Sequence, residues 1–495
     1  MNDRIRVIAV VGMILLAALV LGTTYWQAWA EGDLASKQDN AIQRVAQFTI
    51  DRGVIRAADG TVLALNRVVH VNGNTYYLRH YPTGPLAADV VGYSTEARSR
   101  AGIEQAFNDF LTASNSDLHT VLTSTLNSLE GKTIKGNSIK LTLHLGPQFL
   151  AEKALAGQCG SAVALDIPSG RVLVMATSPT YNPNLVEKHY DQIARTKAAC
   201  SGPAPLLNRA TAGLYAPGST FKLVTAAAAL DSGTFTPDSR FNDPGYCTEY
   251  GKPVTNFLEN GGVPEKFGNV TLAQGLQFSI NSVYCNIGIK LGALKILEYA
   301  KRFGFYSTPG LETPPAEQRA SGLYDHGKLF YPKHDYQVDP GRLAFGQERL
   351  GVTPLQMAMV AAAIGNGGVV VQPYVVDSIL KPGGGVLQAT KPKTLGRAIS
   401  PQTASELTTM MEAVVTGGTG TAAQIPGVLV AGKTGTAETS VPGVNTAWFV
   451  CFAPADHPRI AVAVALENQL HKTGGEVAAP IAKTLLEALL KQPTA

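Results

Sequence analysis

The chain has 495 residues, 45% of them hydrophobic and 16% charged, with 50 glycines and 29 prolines; this is globular composition, long enough for two or three domains with separate cores. A net charge of +4, with no polybasic run and no interleaving of basic and aromatic residues, argues against a nucleic-acid partner. Five cysteines with no CxxC pair and no histidine at metal-ligand spacing argue against zinc and leave at least one free thiol.

Residues 7–30 carry no charge, and Val7 to Leu21 is almost wholly apolar. As a helix this stretch reaches about 36 Å, enough for a hydrocarbon core of about 30 Å. Arg4 and Arg6 precede it and Tyr25, Trp26 and Trp29 follow it. That order predicts one N-terminal transmembrane helix, a cytoplasmic tail of residues 1–6, and the rest of the chain on the extracytoplasmic face. A cleaved signal peptide is the rival, because Ala28-Trp29-Ala30 has the small-x-small pattern of a processing site. Both readings put the rest of the chain outside the cytoplasm.

Residues 31 to about 48 form a polar stalk. Short β-like runs then continue to about residue 145. Arg52-Gly53-Val54-Ile55 and Thr61-Val62-Leu63-Ala64 flank an Asp59-Gly60 turn, which predicts a hairpin, and Ser138 to His144 alternates as a strand. Residues 31–147 therefore read as a small, β-rich, non-catalytic domain. From residue 148 onward the texture is α/β. Strands are expected at 162–166 and 171–175 and again at 448–452 and 460–466. Helices are expected at about 220–230, stopping at Gly233, and at 480–490. The fold class is α+β multidomain, with a central sheet covered by helices in the domain 148–495.

Three patterns occur in one order: Ser219-Thr220-Phe221-Lys222, Ser279-Ile280-Asn281 and Lys433-Thr434-Gly435-Thr436. The order S-x-x-K, S-x-N, K-T-G belongs to serine acyl-transfer enzymes that react with β-lactams. Two of the patterns recur, so context must choose between copies. Ser378 and Lys381 fall in a β-like run, where positions i and i+3 face opposite ways. Ser219 instead follows the turn Pro217-Gly218 and opens a helix, so Lys222 shares its face. The second K-T-G, Lys472-Thr473-Gly474, lies in a polar loop, whereas Lys433 follows the apolar run 428–431 on a strand edge. Gly432 and Gly435 there would let a substrate backbone come close.

A serine hydroxyl needs a base, and a lysine becomes one when burial and a neighbouring cation favour its neutral form. The roles expected are Ser219 as nucleophile, Lys222 as base with Lys433 as the crowding cation, and Ser279 as proton relay. Asn281 would orient Lys222 and the substrate amide. The N–H groups of Ser219 and Thr436 would form an oxyanion hole, worth about 3–4 kcal/mol per donor. Lys433, Thr434 and Thr436, with Gly435 between them, would hold a terminal carboxylate. No metal or other cofactor is required.

These residues resemble the class B penicillin-binding proteins over nearly the whole chain, and most of all the actinobacterial penicillin-binding protein A group. Arg52 to Gly60, Tyr215 to Ser219, Gly346-Gln347 with Thr353-Pro354-Leu355-Gln356, and Trp448-Phe449 carry the resemblance beyond the three motifs. Position 216 is Ala where many relatives carry Pro. The resemblance implies a serine penicillin-binding/β-lactamase-like transpeptidase domain that cross-links peptidoglycan stem peptides ending in D-Ala-D-Ala and is acylated by β-lactams. It also implies a bacterial cell membrane location and a polytopic glycosyltransferase partner of the SEDS family. Cys285 and Cys451 read as small packing residues.

A β-lactamase shares the three motifs, but none of Glu298, Glu312, Glu317, Glu348, Glu406 and Glu412 has the Asn four residues on that a deacylating site needs. A D,D-carboxypeptidase differs only in letting water attack the acyl group. A non-enzymatic β-lactam sensor would need more than a six-residue cytoplasmic segment, and a scaffold would have no need of Ser219 or Lys222.

Overall fold

The computed structural model describes residues 2–25, 47–114, 133–200, 202, 204–256, 258–259, 262–439 and 441–492. The catalytic-domain sheet has five strands, in the order Ala431–Glu438, Val444–Ala453, Ile460–Leu470, Gly160–Asp166, Val172–Ser178. Every neighbouring pair is antiparallel. The four strands expected from 162–175 and 448–466 are therefore the inner part of this sheet and one of its margins, and the K-T-G strand is the other margin.

Both faces of the sheet are buried, which is why its strands are apolar at successive positions instead of alternating with polar residues. Trp448, Val450 and Phe452 join Val163, Leu165 and Ala463 on one side, in the core that holds Met357, Ala358 and Ala361 of helix Pro354–Gly365. Phe449, Cys451, Val462 and Val464 point the other way, toward Leu485, Leu486 and Leu489 of the last helix, Ala479–Leu490. Thr353 starts the first of these helices by accepting a hydrogen bond from Gln356 N–H, and Pro354 occupies the first turn, where its missing N–H costs nothing.

The β-rich domain is centred on a six-stranded sheet in the order Val386–Ala389, Val376–Leu380, Ser138–Leu141, Ile55–Arg56, Val62–Val71, Asn74–His80. The hairpin is present: Ile55 pairs with Ala64, Gly60 sits at φ 88°, and Asp59 Oδ1 accepts from Thr61 N–H at 2.9 Å. The two strands at one margin, Val386–Ala389 and Val376–Leu380, come from far down the chain, so residues 31–147 do not build the sheet alone. The second S-x-x-K lies here, with Ser378 on the strand paired to Lys140.

A helix runs Asn2–Tyr25, and its described side chains from Val10 to Leu21 are exposed. Among the described residues no helix is long and apolar enough to cross a membrane. Trp26, Trp29, the processing pattern 28–30 and most of the stalk 31–48 lie outside the described residues. Two disulfides are formed, Cys159–Cys200 and Cys247–Cys285. The reading of Cys285 as a simple packing residue is thus corrected: it ties the helix Asn281–Leu291 to the strand Tyr246–Glu249. Cys451 is free and buried.

Candidate active site

Pro217 starts a 3₁₀ turn, Gly218–Phe221, that passes into the helix Lys222–Asp231. Side chains three apart on such a turn stack along one line, which sets Lys222 below Ser219. The helix is buried from Lys222 to Leu230, and Gly233 at φ 68° follows it. Lys222 has no exposed surface, whereas Ser219 is half-buried.

Ser279 is the turn residue between helices Leu272–Gln277 and Asn281–Leu291, and it is held at φ 59°. A left-handed conformation is costly for a residue with a Cβ, and it persists only where surrounding contacts impose it. Here it brings both Ser279 oxygens to the lysines. Lys222 Nζ donates to Ser279 O at 2.7 Å, to Asn281 Oδ1 at 2.8 Å and to Ser279 Oγ at 3.3 Å. Lys433 Nζ donates to the same Ser279 Oγ at 2.8 Å and to Thr434 O at 2.9 Å.

Lys433, like Lys222, is fully buried. Burial pushes the Lys433 ammonium down to about 7. Burial and then the nearby Lys433 push Lys222 well below the ordinary lysine range. In its charged form Lys222 commits all three donors to Ser279 and Asn281. As a neutral amine it keeps two donors and gains a lone pair, which is the form able to take the Ser219 proton.

Asn281 is itself held, its Nδ2 donating to Thr255 O at 3.0 Å. Behind it, buried Asp243 accepts from Ser282 Oγ, Gly245 N–H, Phe267 N–H and Asn256 Nδ2. That hub fixes the start of the Asn281 helix against the chain around Thr255, and its parts are distant enough in sequence to leave no motif. Thr434 Oγ1 lies 2.6 Å from Thr419 Oγ1. Thr419 belongs to none of the three motifs, and its only signal in the sequence is the glycine-rich run 417–420 around it.

The glycines have a different purpose from the one expected. A Cβ on Gly435 would meet Thr220 Cγ2 at 2.8 Å, Pro217 O at 3.0 Å and Trp448 Cβ at 3.0 Å. On Gly432 it would meet Phe449 Cζ at 2.7 Å. These glycines let the nucleophile turn and the neighbouring strand pack against the K-T-G strand, and no open substrate path lies at those carbons. Gly346 does the same from the other side: it sits at φ 83°, its carbonyl accepts from Gly218 N–H at 3.1 Å, and a Cβ there would lie 2.1 Å from Gly218 O. Gly346→Ala is expected to displace the Ser219 turn. Acylation by a chromogenic cephalosporin should slow by about 100-fold, because a 1 Å misplacement costs that much; an unchanged rate would show that the turn does not depend on this contact.

The structure thus gathers Ser219, Lys222, Ser279, Asn281 and the strand Lys433–Thr436 into one site. It leaves Ser378 and Lys381 in the other sheet and Lys472 exposed on a loop. Thr473 there caps the short helix Gly474–Val477.

A family model described as penicillin binding protein transpeptidase domain matches residues 160–487, and one described as penicillin binding protein A dimerisation domain matches 52–139. The chain is 34% identical to the peptidoglycan D,D-transpeptidase PbpA of Mycolicibacterium smegmatis, over 99% of this chain and 100% of that protein. It is 33% identical to PbpA of Mycobacterium tuberculosis H37Rv, over 99% of each. Among solved structures it resembles the ceftriaxone acyl-enzyme of penicillin-binding protein A from M. tuberculosis, with TM-score 0.79, 31% identity, and 90% of this chain and 100% of that one covered. It also resembles a D,D-transpeptidase domain from Eggerthella lenta, with TM-score 0.74, 36% identity, and coverage of 90% and 99%.

Proposed function

This chain belongs to the class B penicillin-binding proteins, and we propose that Ser219 is the nucleophile of its peptidoglycan D,D-transpeptidase reaction. The observation that carries this assignment is the pair of buried lysines sharing the Ser279 hydroxyl, one opening the helix that follows the Ser219 turn and the other on the strand packed against that turn. Neutral Lys222 takes the Ser219 proton as Oγ attacks the carbonyl of the penultimate D-Ala. The C–N bond to the last D-Ala then breaks, and the leaving amine receives its proton through Ser279. Charged Lys433 with Thr434 and Thr436 holds the terminal carboxylate of the donor peptide, and the N–H groups of Ser219 and Thr436 face the oxyanion. An amine of a second stem peptide then displaces Ser219 and completes the cross-link. A β-lactam follows the first half of this path and stops at the acyl-enzyme.

The setting is part of the proposal. The uncharged stretch 7–30 anchors the chain in the bacterial cell membrane with the catalytic domain outside. A SEDS-family glycosyltransferase supplies the glycan strands. Support for the anchor is the uncharged stretch 7–30; support for the partner is the family alone.

The deciding experiment incubates the full chain in detergent with a labelled penicillin and maps the adduct by peptide mass spectrometry over time. A long-lived adduct on the peptide containing Ser219, absent from Ser219→Ala, is the expected result. Rapid release of hydrolysed drug would make the protein a β-lactamase, and an adduct on another serine would overturn the assignment.

A further inference from the structure

Where the β-rich domain meets the catalytic domain there is a cavity of about 220 Å³, lined by none of the motif residues but by Asp89, Gly102, Leu207, Asn208 and Glu317 among others. Polar bonds cross the junction around it. Thr180 Oγ1 donates to Asp89 Oδ2 at 2.6 Å, Asn208 Nδ2 donates to the Asp89 carbonyl at 3.2 Å, and Gly102 N–H donates to Glu317 Oε1 at 2.9 Å. Asp89 is only 8% exposed, yet its Oδ1 has no hydrogen-bond partner among the described residues. A buried carboxyl oxygen left without a donor costs about 1–3 kcal/mol or more, so its persistence calls for an explanation.

The charged and titratable groups around Asp89 are unbalanced. Glu152, Tyr181 and Glu317 are acids. The cation acting on Asp89 is Arg209, and it is already engaged by Glu467 at 2.9 Å and by Ala204 O at 3.2 Å. Leu206 and Leu207 add an apolar wall. A donor-rich monocation with a short hydrocarbon tail would satisfy the carboxyl and cover that wall.

We propose that this interdomain cavity binds a primary ammonium group on a short aliphatic chain, with Asp89 as its counter-ion and Glu317 as the second carboxylate of the site. Burial pushes the empty Asp89 carboxyl well above the usual carboxylate range, which favours its neutral form. An incoming ammonium stabilises the carboxylate, and the carboxyl proton passes to solvent. Binding therefore releases a proton and tightens as pH rises, up to the point at which the amine itself deprotonates. The site borders Asn208, whose side chain caps the helix Arg209–Ala212 that leads into the Ser219 turn.

The test uses the full chain in detergent and n-butylammonium chloride as probe, with n-butanol as the uncharged analogue. Calorimetry in two buffers of different ionisation enthalpy gives affinity and proton release together. Saturable binding of the amine with release of about one proton, and none of butanol, is expected. Asp89→Asn should weaken binding by at least about tenfold and abolish the proton release. Leu207→Trp, which adds bulk at the apolar wall of the cavity, should also block binding and decides the matter if Asp89→Asn does not fold. Absence of binding to the wild type, equal binding of butanol, or unchanged binding in either folded variant would overturn the proposal.

Discussion

Lys222→Met is expected to lower the rate of acylation by penicillin or a chromogenic cephalosporin by about 10⁴-fold, the upper range for loss of a general base. Methionine fills nearly the same volume, so the helix Lys222–Asp231 keeps its packing. The variant leaves Ser279 O and Asn281 Oδ1 without their donor, a cost of about 1–3 kcal/mol each, but it also removes a buried cation. Folding is therefore retained and the loss is read at the chemical step. The pH profile supplies the mechanistic signature. In the wild type, acylation rises with pH as Lys222 loses its proton, and that limb begins below the ordinary lysine range because burial and Lys433 depress this group. The limb should vanish in the variant. A loss of less than tenfold, or a surviving limb, would remove Lys222 from the role of base and point to Lys433 or to water.

Lys433→Met carries the second large effect, and it appears in stability as well as in rate. The unfolded chain holds this lysine at an ordinary 10.5, the folded one at about 7. Between those values the unfolded state binds more protons, so stability rises with pH. The penalty for burying the charge is complete below about 7 and is gone near 10.5, a change of several kcal/mol at 1.36 kcal/mol per unit. Denaturant unfolding of the wild type should thus show stability climbing from pH 7 to pH 10 relative to Lys433→Met, with the wild type's deficit full and level below about 7 and closing near 10.5. Parallel curves would mean that the lysine is not desolvated. Acylation should fall by about 100-fold through the lost carboxylate contact. Removing this cation also raises Lys222, so the rising limb of the acylation profile should move to higher pH in the variant.

The two predictions rest on one geometric feature that no residue spacing displays. Ser279 is an ordinary serine in sequence, and what makes it central is a left-handed turn that places its hydroxyl between two lysines 211 positions apart. All three residues sit in short motifs whose local context is legible: a Pro-Gly turn opening a helix for Lys222, the end of one helix for Ser279, an apolar run for Lys433. Local context also separated the copies that the fold brings together from Ser378 and Lys472, since strand and loop geometry are themselves local properties.

What was not legible is equally specific. Asp243 and Asn256 brace the Asn281 helix through hydrogen bonds that join four separate stretches of chain, and Thr419 reaches Thr434 only because a helix end and a strand margin meet. The pairing of Cys285 with Cys247 belongs to the same class: five cysteines in a line allow many pairings, and only folded proximity selects one. Gly432 and Gly435 were given the right size requirement for the wrong neighbour, because a sequence shows that something must come close and not what does.

By itself, then, the sequence determined the α+β class, the family and the motif residues that meet in the candidate site. These depend on hydrophobic periodicity, turn chemistry and short motifs, all of which are carried by neighbours along the chain. The tertiary structure decided the partners: which strands from 376–389 complete the first sheet, which cysteines join, which carbonyl holds Lys222, and how far burial shifts the two lysines. Those quantities depend on desolvation and on distances between groups far apart in the chain, and they come into being only when the chain packs.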